Sequence, residues 1–558
     1  MKKITKLLAA GCMASTLLMS GCIEETFPTN GATEDQITSS TEAASAMLWA
    51  LHAQLNTPVF SVGDYHFDFG YGAMMHIRDI QTGDMPINSS NYDQFWVWEE
   101  NQAQGKLYLY PQLIWNYYYG CVLSCNKLLA AFPIETASDE VKGYVAAAHA
   151  YRAMFYLDLA RLYEYLPTDV TTPQDDQYGN TINNLTVPIV TEETTEEQCY
   201  NNPRATREEM AAFILSDLQA AEENIGLLTE SSPCQPHLDV VYGLYARYYM
   251  WLGQNADDTP NAANYTQARD YARKAIDAAA QRGVTPMTEE ECLSTSKGFN
   301  SIDCWMMGSQ VVKENDVAQT GIINWVSWMS NETSFGYCGM AGAPWSMIDA
   351  GLYAKADDND FRKRMWKAPI GSALEGKTDF LISTVNGNFG DFLPAYASVK
   401  FRPGEGNPDD VNLATATAYP LMRVEEMYFI EAEAAEHVAP GSGKQLLESF
   451  MNNYRIAEDA EGYTYACTNS DVIDEIITQK SIELWGEGLI FFDIKRLNRP
   501  VDRTYPGANW SSTTRFKTAT RPAWMNYVIT QTEENSNEAV RGYNNPDPSG
   551  KYALVPVE

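Results

Sequence analysis

The stretch YVAAAHAYRAMFYLDLARLYEYL, residues 144–166, decides the fold class. Ala147, Ala148, Tyr151, Met154, Phe155, Leu159 and Leu162 recur three and four residues apart, the spacing of one face of an α-helix. Pro167 ends the pattern, because it lacks the N–H that the next helical hydrogen bond needs. Outward from this stretch the same spacing returns at residues 42–55, 108–132, 206–228, 238–252, 265–282, 422–438, 444–456 and 471–485. Thr206 followed by Glu209 predicts a capping box at one of these starts. The chain is therefore expected to be mainly α.

Ala268, Ala272 and Ala275 share one helical face. Small residues there let a neighbouring helix approach closely while its bulky side chains fill the groove. Helix pairs of this kind resemble tetratricopeptide units of about 34 residues, here interrupted by loops at 168–203 and 253–263. A generic helical bundle is the competing architecture. Residues 58–105 lack periodicity and are rich in Gly, Asp and aromatics, and residues 283–420 break the helical pattern again. The tail after Arg499 reads as loop.

With 558 residues the chain exceeds the roughly 250–300 that one core usually serves, so subdomains or a repeat array are expected. Charge is 39 Lys+Arg against 73 Asp+Glu, a net of −34. Such a surface repels phosphate backbones and anionic lipid, which excludes nucleic acid and a basic membrane patch as partners. The aromatic share of 12% is generous enough to serve binding as well as packing.

Lys2, Lys3 and Lys6 precede a short apolar stretch at 7–19, too short to span a bilayer and typical of a signal peptide. Met19-Ser20-Gly21-Cys22 closes it and resembles a bacterial lipobox, with Cys22 the residue to be lipidated. Cys12 competes for that role, but too little apolar sequence precedes it. The organisation expected is a signal peptide at 1–21, a lipidated flexible tether at 22–40, a helical region at 41–300 with an aromatic loop at 58–105, a loop-rich subdomain at 301–420, and a helical C-terminal region and tail at 421–558. The compartment permits disulfides, though Cys121 and Cys125 lie one helical turn apart, which suits a buried face better than a bridge.

Five segments, in order, carry a family resemblance. Residues 148–163 resemble the R-A-aromatic-x-x-aromatic-x-L-x-R-L-Y helix of the SusD/RagB outer-membrane lipoproteins, and 204–228 its R-x-T…D-L…A helix. Residues 344–362, ending Asp360-Phe361-Arg362, are similar to its P…D…D-x-R block. Arg423 to Ala434 resembles its R-x-x-E-x…E-A helix, and residues 482–497 its E-x-E-G-x-R-F-x-D-L-x-R block. Glu24 and Glu25 after Cys22 resemble the acidic export signal of surface lipoproteins in Bacteroidota. Two positions depart from the pattern: Ile490 stands where Arg is common, and Trp345 follows Pro344 where a small polar residue is usual. The resemblance implies a tetratricopeptide-like helix-pair scaffold with an inserted loop-rich ligand-binding subdomain. It also implies lipid anchoring on the outer face of the outer membrane. The partner would be a SusC-like TonB-dependent transporter, to which a glycan, or less often a peptide, is delivered.

A search for catalytic chemistry finds little. No HExxH occurs, Gly443-Lys444 lacks the rest of a P-loop, and Ser294 to Lys297 fits SxxK by letters only. A glycosidase needs two carboxylates at set spacing, but among 73 acids any pair is uninformative. No cofactor is expected. Structural calcium at Asp357-Asp358-Asn359-Asp360 or Asp175-Asp176 competes with solvated turns, since neither has an EF-hand pattern.

Binding fits better, because sugars offer C–H faces to flat rings and hydroxyls to polar side chains. Two non-helical stretches have that make-up. The first supplies Arg78, Trp96, Trp98 and Asn101, with both indoles on one face if the segment is extended. The second supplies Trp325, Trp328, Tyr337 and Trp345. The alternatives are that these rings only pack their loops and that Arg78 pairs with Asp79 or Asp84. A protein-only scaffold and a surface glycoside hydrolase are the other functional classes.

Overall fold

The computed structural model describes residues 40–61, 63–88, 92–169, 180–337, 339, 344–457, 460–464 and 471–556. The signal segment, Cys22 and the tether up to residue 39 lie outside them, as do Asp175 and Asp176.

The long helices are α1 (Thr41–Gln54), α2 (Tyr71–Ile80), α3 (Leu109–Ala131), α4 (Asp139–Tyr163), α5 (Arg207–Asn224), α6 (Leu238–Gly253), α7 (Ala262–Gln281), α8 (Val424–Val438), α9 (Ser442–Tyr454), α10 (Val472–Glu483) and α11 (Ile490–Arg496). The decisive stretch starts earlier than its periodicity suggests. Ser138 accepts a hydrogen bond from the Val141 N–H, and Asp139 and Glu140 complement the dipole of the first turn. At α5, Thr206 and Glu209 form the expected capping box. Replacing Thr206 by Ala should cost about 1 kcal/mol in urea unfolding, the usual value of such a cap.

Helices neighbouring in sequence pack as neighbours in space: α3 on α4, α4 on α5, α6 on α7, α7 on α8, and α8 on both α9 and α10. This is the tetratricopeptide-like arrangement. Ala268, Ala272, Ala275 and Ala279 of α7 are fully buried, so bulk on this face comes from its partners. Where α6 hands over to α7 the approach is tighter still. A Cβ on Gly253 would sit 2.7 Å from the Tyr265 ring, so only glycine fits. Cys121 and Cys125 are both buried and unbridged on α3.

Helix α2 interrupts the stretch read as an aromatic loop. All ten of its residues are buried, including the polar His76, Arg78 and Asp79. Strand β1 (Met307–Gln310) pairs antiparallel with β4 (Ala418–Met422), so the loop-rich segment leaves and rejoins the helical frame at one ladder. Inside it, β2 (Ile382–Ser383) and β3 (Gly387–Asn388) form a small hairpin. One continuous core runs from Ala44 to Ile529 through all three regions. They are folded as one body.

The charged residues that carried the family resemblance are buried, and they bind one another. Arg362 of the third segment pairs with Asp360 (2.6 Å) and with Glu483 of the fifth (3.0 Å). Arg423 of the fourth meets Glu425 (2.8 Å), Glu483 (3.0 Å) and Glu487 (2.9 Å). Arg455 also reaches Glu483 (2.7 Å), and Lys400 reaches Glu487 (2.7 Å). Arg152 of the first segment pairs with Asp217 of the second (2.8 Å). These motifs are therefore the ionic seams between helices. Ile490, at the position where Arg is common, is 3% exposed and lies in the main core.

Candidate functional site

An aromatic layer spans the loop before α2, the segment before α3 and the inserted subdomain. Trp328 stacks on Tyr337 with ring centroids 3.9 Å apart, and its indole N–H donates to the His66 carbonyl (3.1 Å). Phe95 meets the Trp328 ring edge-on at 4.8 Å and Trp98 at 5.6 Å. Trp98 packs on Tyr110 (5.1 Å) and Phe67 (5.6 Å), and Phe67 stacks on Tyr65 (5.5 Å). Such ring pairs contribute roughly 0.5–1.5 kcal/mol each beyond the area they bury. The Asp68 carboxylate ties the entering loop by accepting the N–H groups of Val59 (2.9 Å) and Phe60 (2.7 Å). Burial raises its pKa to about 6, against the lowering effect of those two bonds.

The layer surfaces at one edge. Trp96 is 41% exposed and Tyr65 37%, and Tyr92 and Tyr108 are exposed too. Tyr65 belongs to the layer directly, while Trp96 and Tyr108 each lie two residues from one of its rings. Residues Trp96–Glu99 form a single helical turn rather than a strand. At 3.6 residues per turn, side chains two apart point roughly 200° from each other. The expectation that Trp96 and Trp98 share a face is corrected accordingly: Trp96 faces solvent and Trp98 faces the core.

Most of the other residues nominated from the sequence are also core. Arg78 is 1% exposed on α2. It donates to Asp158 (3.1 Å), to the Tyr118 hydroxyl (2.8 Å) and to the Gly488 carbonyl (2.8 Å), so neither Asp79 nor Asp84 is its partner. Asn101 is buried at a left-handed φ of 50°, a conformation Asn tolerates, and its amide holds the tail by donating to the Pro548 carbonyl (2.8 Å). Trp325 is buried against Tyr419 (5.0 Å) and Phe401 (5.2 Å). Trp98, Trp328 and Tyr337 are 2%, 2% and 4% exposed. All six are buried, so none presents a ring face at the surface. Trp345 is half-buried beside Phe392, which is exposed, and the two form a smaller second edge over a satellite core of Met347, Leu381, Phe389 and Leu393. Tyr65 and Tyr108 were not singled out from the sequence. The aromatic-x-aromatic spacing of Tyr65-His66-Phe67 and Tyr108-Leu109-Tyr110 does not tell the exposed ring from the packed one.

A groove of about 1130 Å³ lies elsewhere, between α10, the chain after α11 and residues 349–355. Its lining includes Tyr505 and no tryptophan, and three of its carboxylates are engaged. Asp349 accepts from the Trp510 indole N–H (2.9 Å) and the Tyr505 hydroxyl, Asp474 pairs with Arg499, and Asp502 pairs with Lys517 (2.7 Å). It offers volume without an indole.

Among the described residues no group of three His, Cys, Asp or Glu is arranged to hold a metal. At the turn considered for calcium, Asp360 is committed to Arg362 and Asp358 to Lys363 (2.7 Å). No described helix is long and apolar enough to cross a membrane.

A family model described as "Starch-binding associating with outer membrane" matches residues 71–250, and the SusD family model matches residues 395–557. No curated protein matches the chain. Among solved structures, a SusD-like carbohydrate binding protein from Bacteroides vulgatus is 21% identical, with 90% of this chain and 97% of that one covered at a TM-score of 0.65. A SusD superfamily protein from Bacteroides thetaiotaomicron is 18% identical, covering 91% and 100% at 0.64. Surface glycan-binding protein A from Bacteroides uniformis is 15% identical, covering 91% and 99% at 0.60. The two family matches together take in more than half of the sequence, in the order of the motifs read from it, and the chain belongs to the SusD/RagB family.

Proposed function

We propose that this chain is a lipid-anchored protein of the outer cell surface. It binds a nutrient glycan at the Trp96 edge and passes it, chemically unchanged, to a SusC-like TonB-dependent transporter. The observation that carries the reading is the aromatic layer that runs from Trp328 on Tyr337 to Tyr65, with Trp96 exposed on the turn whose Trp98 belongs to that layer. The turn that carries Trp96 is anchored by its buried neighbours Phe95, Val97 and Trp98, so its backbone has little freedom to lose when a sugar ring stacks on the indole. The names of two relatives, a carbohydrate binding protein and a surface glycan-binding protein, support the same ligand class.

The remaining parts follow from chemistry. Acyl chains on Cys22, at about 0.8 kcal/mol per buried CH₂, would hold the chain at the membrane. An open edge of a few rings gives a Kd between about 1 mM and 1 μM, or roughly −4 to −8 kcal/mol. Many anchored copies engaging one polymer raise the effective affinity, while each single contact stays weak enough to release the ligand.

Native gels cast with a panel of polysaccharides test this. The chain from residue 23 onward is expected to be retarded by at least one of them, and to release no reducing ends from it. Unchanged mobility in every gel, or release of reducing ends, would overturn the reading.

A further inference from the structure

We infer that Asp93 and Glu99 are positioning residues that share one proton, and that this proton latches the turn carrying Trp96. The inference deepens the glycan-binding reading and rests on it for the role of Trp96; the latch itself can be measured without a ligand.

The two carboxyl groups bracket the turn Trp96–Glu99. Both are buried, at 7% and 6% exposure. Asp93 holds the entry to the turn by accepting the Phe95 N–H (2.8 Å), and its carboxyl group lies against that of Glu99. Glu99 Oε1 is buried and receives no hydrogen bond from any donor among the described residues. An ionised carboxylate only accepts, so two of them in contact require a proton between them. With that proton the pair closes the turn; without it, two like charges face each other in the core.

The surrounding charges set the pair at one negative charge. Arg503 is the cation beside it. Its guanidinium donates to the carbonyls of Glu99 (3.2 Å), Ile80 (2.9 Å), Thr82 (2.6 Å) and Thr514 (3.4 Å), so it attracts the pair through space and is not bound to its carboxylates. Glu100 adds repulsion from the same turn. From the inserted subdomain the Tyr337 hydroxyl lies close to Asp93 and bonds to His66. From α2 the His76 ring packs edge-on against Phe95 at 4.6 Å, and burial lowers its pKa to about 3, which keeps it neutral. One cation opposes one anion, and nothing there offsets a second.

Burial raises both acids above their ordinary values of 3.8 and 4.5; Asp93 raises Glu99 further, while the contact with Glu99 and the Phe95 N–H pull Asp93 back down. The folded chain therefore keeps a proton that the unfolded chain has released. The latch contributes fully in acid and is lost as pH rises past the ordinary carboxylate range.

Amide hydrogen exchange over residues 95–104, corrected for the intrinsic pH dependence, reads the latch in the full secreted chain. Wild-type protection is expected to fall about tenfold or more between pH 6 and pH 9. In Glu99→Gln the amide donates to Asp93 without titrating, so protection should be pH-independent. Asp93→Asn, which donates to Glu99 instead, should behave the same way. Equal wild-type protection at both pH values would overturn the inference, as would either folded variant following the wild-type profile. A glycan panel run on the same samples separates the two ideas. No retention at any pH would remove the ligand and leave the latch, whereas retention with flat exchange would do the reverse.

Discussion

Replacing Glu483 by Gln should cost about 3–5 kcal/mol of folding free energy, the range for breaking a buried ion pair from one side. Glu483 accepts from three guanidinium groups, those of Arg362, Arg423 and Arg455, all fully buried. The cluster balances, with Arg362, Arg423, Arg455 and Lys400 set against Asp360, Glu425, Glu483 and Glu487. Gln removes one charge and turns an N–H₂ toward donors, leaving an uncompensated cation in the core. Urea unfolding followed by far-UV circular dichroism should show the midpoint collapse, with little folded chain at 37 °C. An unchanged midpoint would mean that the seams contribute nothing. Acid should do the same more gradually. Burial alone would raise the Glu483 pKa, but Arg455, Arg423 and Arg362 outweigh it and hold the acid well below its ordinary 4.5. A depressed folded pKa gives stability that is present above the unfolded value and lost as pH falls below it.

Arg78→Met should cost about 3 kcal/mol or more and leave the ligand affinity of the folded fraction unchanged. Its guanidinium satisfies Asp158, Tyr118 and the carbonyl of Gly488, tying α2 to α4 and to the turn before α11. Met restores volume but leaves the Gly488 carbonyl without that donor, and Arg161 (2.7 Å) as the remaining cation on Asp158. Thermal unfolding alongside a binding titration separates the two roles. A weakened ligand with an unchanged midpoint would return Arg78 to the site.

These two residues show what could be read from the sequence. The motif charges at Arg362, Arg423 and Glu483 were visible as a pattern, and with them the family and the helical frame, because helix periodicity and caps are local. Their partners in other segments were not visible, since Arg362 and Arg423 reach Glu483 across 121 and 60 residues of chain. Arg78 was misplaced for that reason: its carboxylate, Asp158, is 80 residues away, while the nearer Asp79 accepts from the Gly488 N–H (3.0 Å). Helix α2 escaped notice because it is only ten residues long and begins at Gly70 and Gly72, residues that read as loop. The Trp96–Trp98 pair turned on local geometry. One helical turn in place of a strand sends one indole out and the other in, and composition alone cannot decide between them.

Trp96→Ala tests the central claim most directly. Trp96 is the nominated indole most open to solvent, so its loss should barely touch the core and should shift the unfolding midpoint little. Affinity for whichever glycan retains the wild type should fall about tenfold, or roughly 1.4 kcal/mol. Full affinity in a folded Trp96→Ala chain would contradict the account.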